Sequence, residues 1–231
     1  MFRSIPIGPF VREFPGGLFC ASLLASTFLG FVHVSATEPL ATHQDGSILY
    51  TGDNFSALFG SDGKLKSLRS GTDEFLSKEG CYLFIGGKKA GFGSAKIQGP
   101  HGLISEGAET KLEVSFANGS MHWVVENLTD QAFPLVIVLG NDVTAGRTTE
   151  GEYFKVPITQ KILSNSVWYN SSACLEIPSS FNTGGPWGGW QILATYLHPY
   201  ETCELDFAIR KISADEMTDV QNAQNPPKDA N

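Results

Sequence analysis

The tryptophans of the segment 181–190, Phe-Asn-Thr-Gly-Gly-Pro-Trp-Gly-Gly-Trp, are its chemical signal. Trp187 and Trp190 stand three apart among four glycines and a proline. Glycine frees the backbone to present a side chain, and an indole face packs well on the C–H face of a pyranose ring. Sites that mix aromatic rings with a few polar groups are where small ligands bind. The competing assignment makes Trp190 a core plug and Trp187 a lid over the end of the fold. Trp168 and Tyr169 adjoin on one expected strand, so one should point inward and the other out.

A second chemistry is proton transfer at oxygen, which needs an acid and a base set across a substrate. His101, His122 and His198 with Glu106, Glu109 and Glu126 supply the residue types. His122 alternates within a strand, which also fits an ordinary half-buried strand histidine. No Gly-x-Ser-x-Gly elbow occurs, so a Ser-His-Asp triad has no basis. The stretch 86–93, Gly-Gly-Lys-Lys-Ala-Gly-Phe-Gly, lacks the Gly-Lys-Ser/Thr ending of a phosphate loop and reads as a hairpin turn. Asp45, Asp53, Asp62 and Asp73 mostly neighbour glycines and serve turns. Their spacing shows no clustered calcium ligands, no zinc spacing occurs, and no cofactor or metal is expected. Asn54, Asn118, Asn127 and Asn170 open Asn-x-Ser/Thr sequons, which matter only in a host that glycosylates.

These residues sit in a chain of 231 with 42% hydrophobic and 17% charged residues, 16 phenylalanines and a net charge of −8. The balance speaks against nucleic acid or an anionic membrane surface as partner. Residues 1–36 read as a secretory signal: Arg3 and Arg12 precede an uncharged run over 17–32, and Val34-Ser35-Ala36 suits cleavage before Thr37. The run is short for a spanning helix, which needs about 20 residues. A secreted or periplasmic chain, with no membrane contact after cleavage, follows. Cys81, Cys174 and Cys203 would then meet an oxidising compartment as an odd set. Sequence order favours a Cys174–Cys203 pair, and three buried free thiols stand as the alternative.

From Thr37 to Ser213 the period is 2, not 3.6, and turn residues interrupt it every few positions. The clearest hairpin joins 110–116 to 120–126 through Asn118-Gly119, a type I′ signature. A second joins 54–59 to 64–68 through Asp62-Gly63. Further strands are expected over 82–85, 93–97, 133–139, 153–156, 161–169, 173–177, 191–198 and 202–212. In the last, Cys203, Leu205, Phe207 and Ile209 should face inward, and Glu204, Asp206 and Arg210 outward. About a dozen short antiparallel strands must bury their apolar faces against a second sheet, so the fold is an all-β, two-sheet β-sandwich over 37–213. Residues 214–231, polar and tipped by Pro226-Pro227, read as a disordered tail.

Two passages resemble a known family. The opening Gly52-Asp-Asn-Phe-Ser-Ala-Leu-Phe-Gly-Ser-Asp-Gly-Lys-Leu-Lys-Ser-Leu-Arg-Ser-Gly71, leading to Thr72-Asp-Glu-Phe-Leu76, resembles the first hairpin of galactose mutarotase-like sandwiches. The closing Trp187-Gly-Gly-Trp-Gln191 and Leu197-His-Pro-Tyr-Glu-Thr202 resemble its late strands, and Glu126-Asn-Leu-Thr-Asp130 one of its turns. The resemblance spans most of 47–212. It implies a carbohydrate-contacting supersandwich, either an epimerase or an accessory sandwich of lyases and glycoside hydrolases. No histidine here sits in the family's histidine motif, so no catalytic residue carries over. The expectation is a carbohydrate- or glycoconjugate-binding domain without catalysis, contacting its ligand through Trp187, Trp190, Trp168 and His122. A divergent epimerase or polysaccharide-processing enzyme is the first alternative, and a structural module without a small ligand the second.

Overall fold

The computed structural model describes residues 38–117, 119–156, 167–187 and 190–225, without the side chains of 38, 39, 184–187 and 190. The expected signal segment and cleavage point lie outside these residues.

Among the described residues nineteen strands form three antiparallel sheets, more strands and one more sheet than the sequence pattern led us to expect. The first sheet is a meander of β1 (Glu38–Thr42), β2 (Ile48–Thr51), β3 (Ser56–Phe59), β4 (Leu65–Ser70) and β5 (Asp73–Glu74). The second comprises β6 (Leu76–Ile85), β7 (Lys88–Ala90), β12 (Phe133–Leu139), β17 (Asn182–Trp187) and β18 (Trp190–Leu197), in the order β17-β18-β12-β6-β7. The third has nine strands, in the order β14-β13-β15-β16-β19-β11-β10-β9-β8. They are β8 (Ser94–Ile97), β9 (Gly102–Glu106), β10 (Thr110–Ala117), β11 (Ser120–Asn127), β13 (Ala145–Arg147), β14 (Tyr153–Lys155), β15 (Val167–Tyr169), β16 (Ala173–Glu176) and β19 (Thr202–Lys211).

Alternation decides which face of each strand is dry. Leu112, Val114 and Phe116 of β10, Met121, Trp123 and Val125 of β11, and Leu205, Phe207 and Ile209 of β19 are all buried. They join Ile48, Phe59 and Leu65 of the first sheet and Leu83, Leu135, Ile137 and Leu193 of the second in one continuous core. Trp123 packs on Phe207 with ring centroids 4.9 Å apart, the tight end of aromatic contact. The expected β10–β11 and β3–β4 hairpins are both present, and Gly63 and Gly119 take positive φ of 72° and 81° at their turns. Gly86 and Gly87, at 55° and 79°, make the β6–β7 turn where a hairpin was expected.

The expected disordered tail is corrected for residues 214–224. They form helix α1 (Ala214–Gln224), which opens with a reciprocal capping box between Ser213 and Glu216. Helix propensity in so polar a segment is weak, and tertiary anchoring makes the difference. Val220 inserts into a cluster with Ala145, Val167, Tyr169 and Cys174 on the outer face of the nine-stranded sheet. The Glu216 carboxylate receives Arg210 at 2.7 Å on each oxygen and the Tyr169 hydroxyl at 3.2 Å. Those Arg210 bonds, working against burial, hold the Glu216 carboxyl down at about 2.

The helix also explains a second departure. Trp168 faces the core and Tyr169 the opposite side, as alternation requires, yet both are fully buried because α1 covers the outer side of β15. The Cys174–Cys203 pairing is corrected too: both thiols are free. Cys174 lies opposite Arg210 and Cys203 opposite Val125, seven positions apart along β19. That offset is about 23 Å of strand, far beyond the reach of a disulfide.

Candidate functional site

Helix α1 roofs only the β13–β16 part of the outer face. Beyond it, β19, β11, β10 and β9 turn their second set of side chains to solvent: Asp206 and Glu204, His122 and Glu126, Glu113 and Ser115. Register places them. His122 lies opposite Asp206 on one side and opposite Ser115 on the other, and Ser115 opposite Gly102. His122 Nδ1 and Asp206 Oδ1 are 2.8 Å apart, which fixes the imidazole by its Nδ1 edge. The pair is wet: the Asp206 side chain is 78% exposed and that of His122 36%. An exposed ion pair of this kind adds little stability. Its consequence is orientation.

Beside His122 the β8–β9 connection rises over the sheet edge. There the His101 carbonyl accepts from the Phe116 N–H at 2.9 Å, which anchors the loop to β10. A cleft of about 330 Å³ opens between loop and sheet, lined among others by Gln98, His101, Glu113, Ser115 and His122. Glu113 is also held by Lys111, two positions earlier on the same face, at 2.6 Å. The cleft therefore combines two imidazoles, a carboxylate, an amide and a hydroxyl over a floor that includes Val124. Groups of this kind form directional hydrogen bonds with neutral hydroxyls and need no metal. Among the described residues no group of three or more His, Cys, Asp and Glu is placed to hold a metal ion.

The other sequence candidates disperse. Trp168 is fully buried, its ring edge-on to Phe154 at 5.5 Å, so it cannot stack on a ligand at the surface. The reason is its place on β15, an interior strand of the sheet whose inner side meets the core. The glycine-rich segment around Trp187 and Trp190, outside the strands expected from the sequence, forms the end of a hairpin. Trp187 and Trp190 are cross-strand partners of β17 and β18, with an irregular register between Gly184 and Trp187. β17 is an edge strand, the position where a strand tolerates Pro186. The side chains of both tryptophans lie outside the described residues. His198 is exposed in the β18–β19 turn, away from the cleft, and Glu109 is exposed between β9 and β10. Glu126 shares the outer face of β11 with His122, four positions away, and Glu106 lies opposite Lys111.

Asp206, which holds His122, and Glu113, which shares its cleft, escaped the sequence reading as site residues, although Asp206 was expected to point outward. Asp206 lies 84 positions from His122, and only the β11–β19 register joins them. Glu113, Ser115 and Gln98 carried no motif at all.

No protein-family model matches the chain. No curated protein matches it either. Solved structures do. A YidC insertase is 11% identical, with 83% of this chain and 48% of that chain covered and a TM-score of 0.47. A putative aldose 1-epimerase from Escherichia coli is 10% identical over 72% of this chain and 100% of that chain, with a TM-score of 0.40. A galactose mutarotase related enzyme from Lactobacillus acidophilus is 8% identical over 72% of this chain and 97% of that one, with a TM-score of 0.41. The chain thus bears a distant resemblance to mutarotase-related structures.

Proposed function

We propose that this chain is a secreted or periplasmic β-sandwich that binds carbohydrate or glycoconjugate without transforming it. The observation that carries the reading is the His122–Asp206 pair on the wall of a polar cleft shared with Glu113, Ser115, His101 and Gln98. A sugar ring offers hydroxyls that both donate and accept, and these groups complement them. Exposure argues for binding over catalysis. Acid–base machinery gains its strength where water is excluded, and the Asp206 side chain stands 78% in solvent. The uncharged run over 17–32 supports export. The net charge of −8 suits a neutral ligand better than a polyanion.

A glycan array followed by calorimetric titration tests this. Wild type should retain at least one glycan. Glu113→Gln and His122→Gln should each weaken it about 10-fold, the loss expected for one hydrogen bond to a charged group. Both variants should keep the wild-type melting temperature within about 2 °C, because the substitutions touch no core residue. A wild type that retains no glycan defeats the proposal. The second reading, a divergent epimerase, draws on the two imidazoles and one carboxylate that share the cleft. Its measurement is the rate of α/β interconversion of free aldoses by NMR. A rate above the buffer rate that is abolished in His122→Gln would establish it.

A further inference from the structure

The turn between β18 and β19 holds a conformational anomaly. Glu201 N–H donates to the His198 carbonyl at 3.3 Å, closing a four-residue turn over 198–201. Pro199 fills its second position. Tyr200 fills its third, with φ at 55°, and is the only non-glycine at positive φ among the described residues. Proline followed by positive φ is the type II pattern, whose third position belongs to glycine or asparagine. A β-carbon there crowds its own backbone, and an aromatic residue is a true outlier.

The surrounding chain forces the geometry. Asn127, almost fully buried, donates through Nδ2 to the carbonyls of Gln131, Leu197 and His198 at 2.7, 3.2 and 2.9 Å. Its Oδ1 accepts from the Thr129 N–H and hydroxyl, each at 2.9 Å. Tyr200 N–H in turn donates to the Thr129 carbonyl at 3.2 Å, and Asn127 N–H to that of Glu201 at 3.0 Å. The turn is over-determined, the condition under which strain persists. What it holds out is a ring 70% exposed, which contributes nothing to the core. Tyr196, on the strand that enters the turn, is 60% exposed. Glycine at 200 would relieve the backbone and cost the fold no packing, so stability does not account for the tyrosine.

From Asp206 the outward residues of β19 lead through Glu204 and Thr202 to this turn. Asp206 and Thr202 are four residues apart, about 13 Å of strand, a span that a single pyranose does not bridge. We infer that Tyr200 is a second ligand contact, stacking on the C–H face of a distal ring of an extended glycan whose other end occupies the His122 cleft. This rests on the carbohydrate-binding reading. The aromatic ring supplies apolar area without charge, and its rigid turn lowers the ordering cost of contact.

The test uses the full chain as Tyr200→Gly and Tyr200→Phe, titrated with a mono- to hexasaccharide series of the glycan retained on the array. Tyr200→Gly should melt about 3 °C higher, bind the monosaccharide like wild type, and bind the hexasaccharide about 5-fold more weakly. Tyr200→Phe should keep wild-type affinity throughout. Unchanged hexasaccharide affinity in Tyr200→Gly overturns the inference and leaves the cleft standing, provided His122→Gln still loses binding. An equal loss for mono- and hexasaccharide also overturns it, since the contact would not be distal. A Tyr200→Gly melting temperature at or below wild type removes the strain on which the argument stands. A wild type that binds no member of the series overturns the binding reading and the inference together.

Discussion

Replacing Glu216 by Ala removes the hub through which α1 docks. The carboxylate receives two bonds from Arg210, both at 2.7 Å, and its side chain is only 14% exposed. Charge-assisted bonds contribute about 1.5–3 kcal/mol each, but Arg210 is 37% exposed and keeps Glu176 at 2.7 Å. The pair is therefore discounted to roughly 1.5–2.5 kcal/mol in all. Loss of the capping box adds about 0.5–1 kcal/mol, and loss of the Tyr169 bond to Glu216 about 0.5 kcal/mol, since that hydroxyl keeps Tyr153. The expected cost is about 2.5–4 kcal/mol, read as a lowered urea midpoint. The same change should expose Cys174, which α1 covers and whose thiol burial pushes up to about 12. In a Cys203→Ser background, Cys174 should react with a disulfide reagent at least about ten times faster once α1 is released. The pH dependence has a definite sign. Arg210 holds the folded carboxyl at about 2 against an ordinary 4.5, so its stabilisation is complete above pH 4.5 and disappears as pH falls towards 2. Wild type and Glu216→Ala should therefore converge in stability across that window. A loss below about 1 kcal/mol, or an unchanged Cys174 rate, would refute the assignment of Glu216 as the docking hub.

Phe207→Ala should cost about 3–5 kcal/mol by chemical denaturation, because the ring is 2% exposed and packs on Trp123 and Phe181; a loss under about 1 kcal/mol would mean that the wrong face of β19 has been placed in the core. Gly93→Ala should cost at least about 2 kcal/mol and lower the yield of folded protein, since φ is 114° and a β-carbon would sit 2.3 Å from the Glu106 backbone; wild-type stability would show that the β8 entry is differently built.

The parts of the fold that were legible are those in which neighbours in sequence are neighbours in the sheet. The β10–β11 hairpin announces itself through Leu112, Val114 and Phe116 and the Asn-Gly turn, because pairing and patterning are both local. β19 declares its buried face by the same alternation. Helix α1 was hidden because its apolar content towards the sheet reduces to Val220, although Ser213 and Glu216 stand at capping-box spacing. That signal was read as part of a polar tail. Trp168 misled because alternation says that one of Trp168 and Tyr169 turns inward without saying which, and it is the tryptophan that meets the core. Tyr169 is the outward one, and nothing local reveals that a helix 45 positions later will cover it. The cleft is long-range by construction. His122 needs Asp206 from the closing strand and His101 from an earlier loop, and no spacing along the chain brings the three together.

The alternation along β10, β11 and β19 also separates two kinds of selection. Leu112, Val114, Trp123, Leu205 and Phe207 answer to packing, while Glu113, Ser115, His122, Glu204 and Asp206 on the reverse of the same strands touch no core atom. Their exchange should leave folding nearly untouched, because surface substitutions fall within about 0.5 kcal/mol. Evolution and the engineer thus meet the same opportunity. The outward rows of three adjacent strands form a mutable panel on a fixed frame, and new specificities can be screened there without first restoring a damaged scaffold.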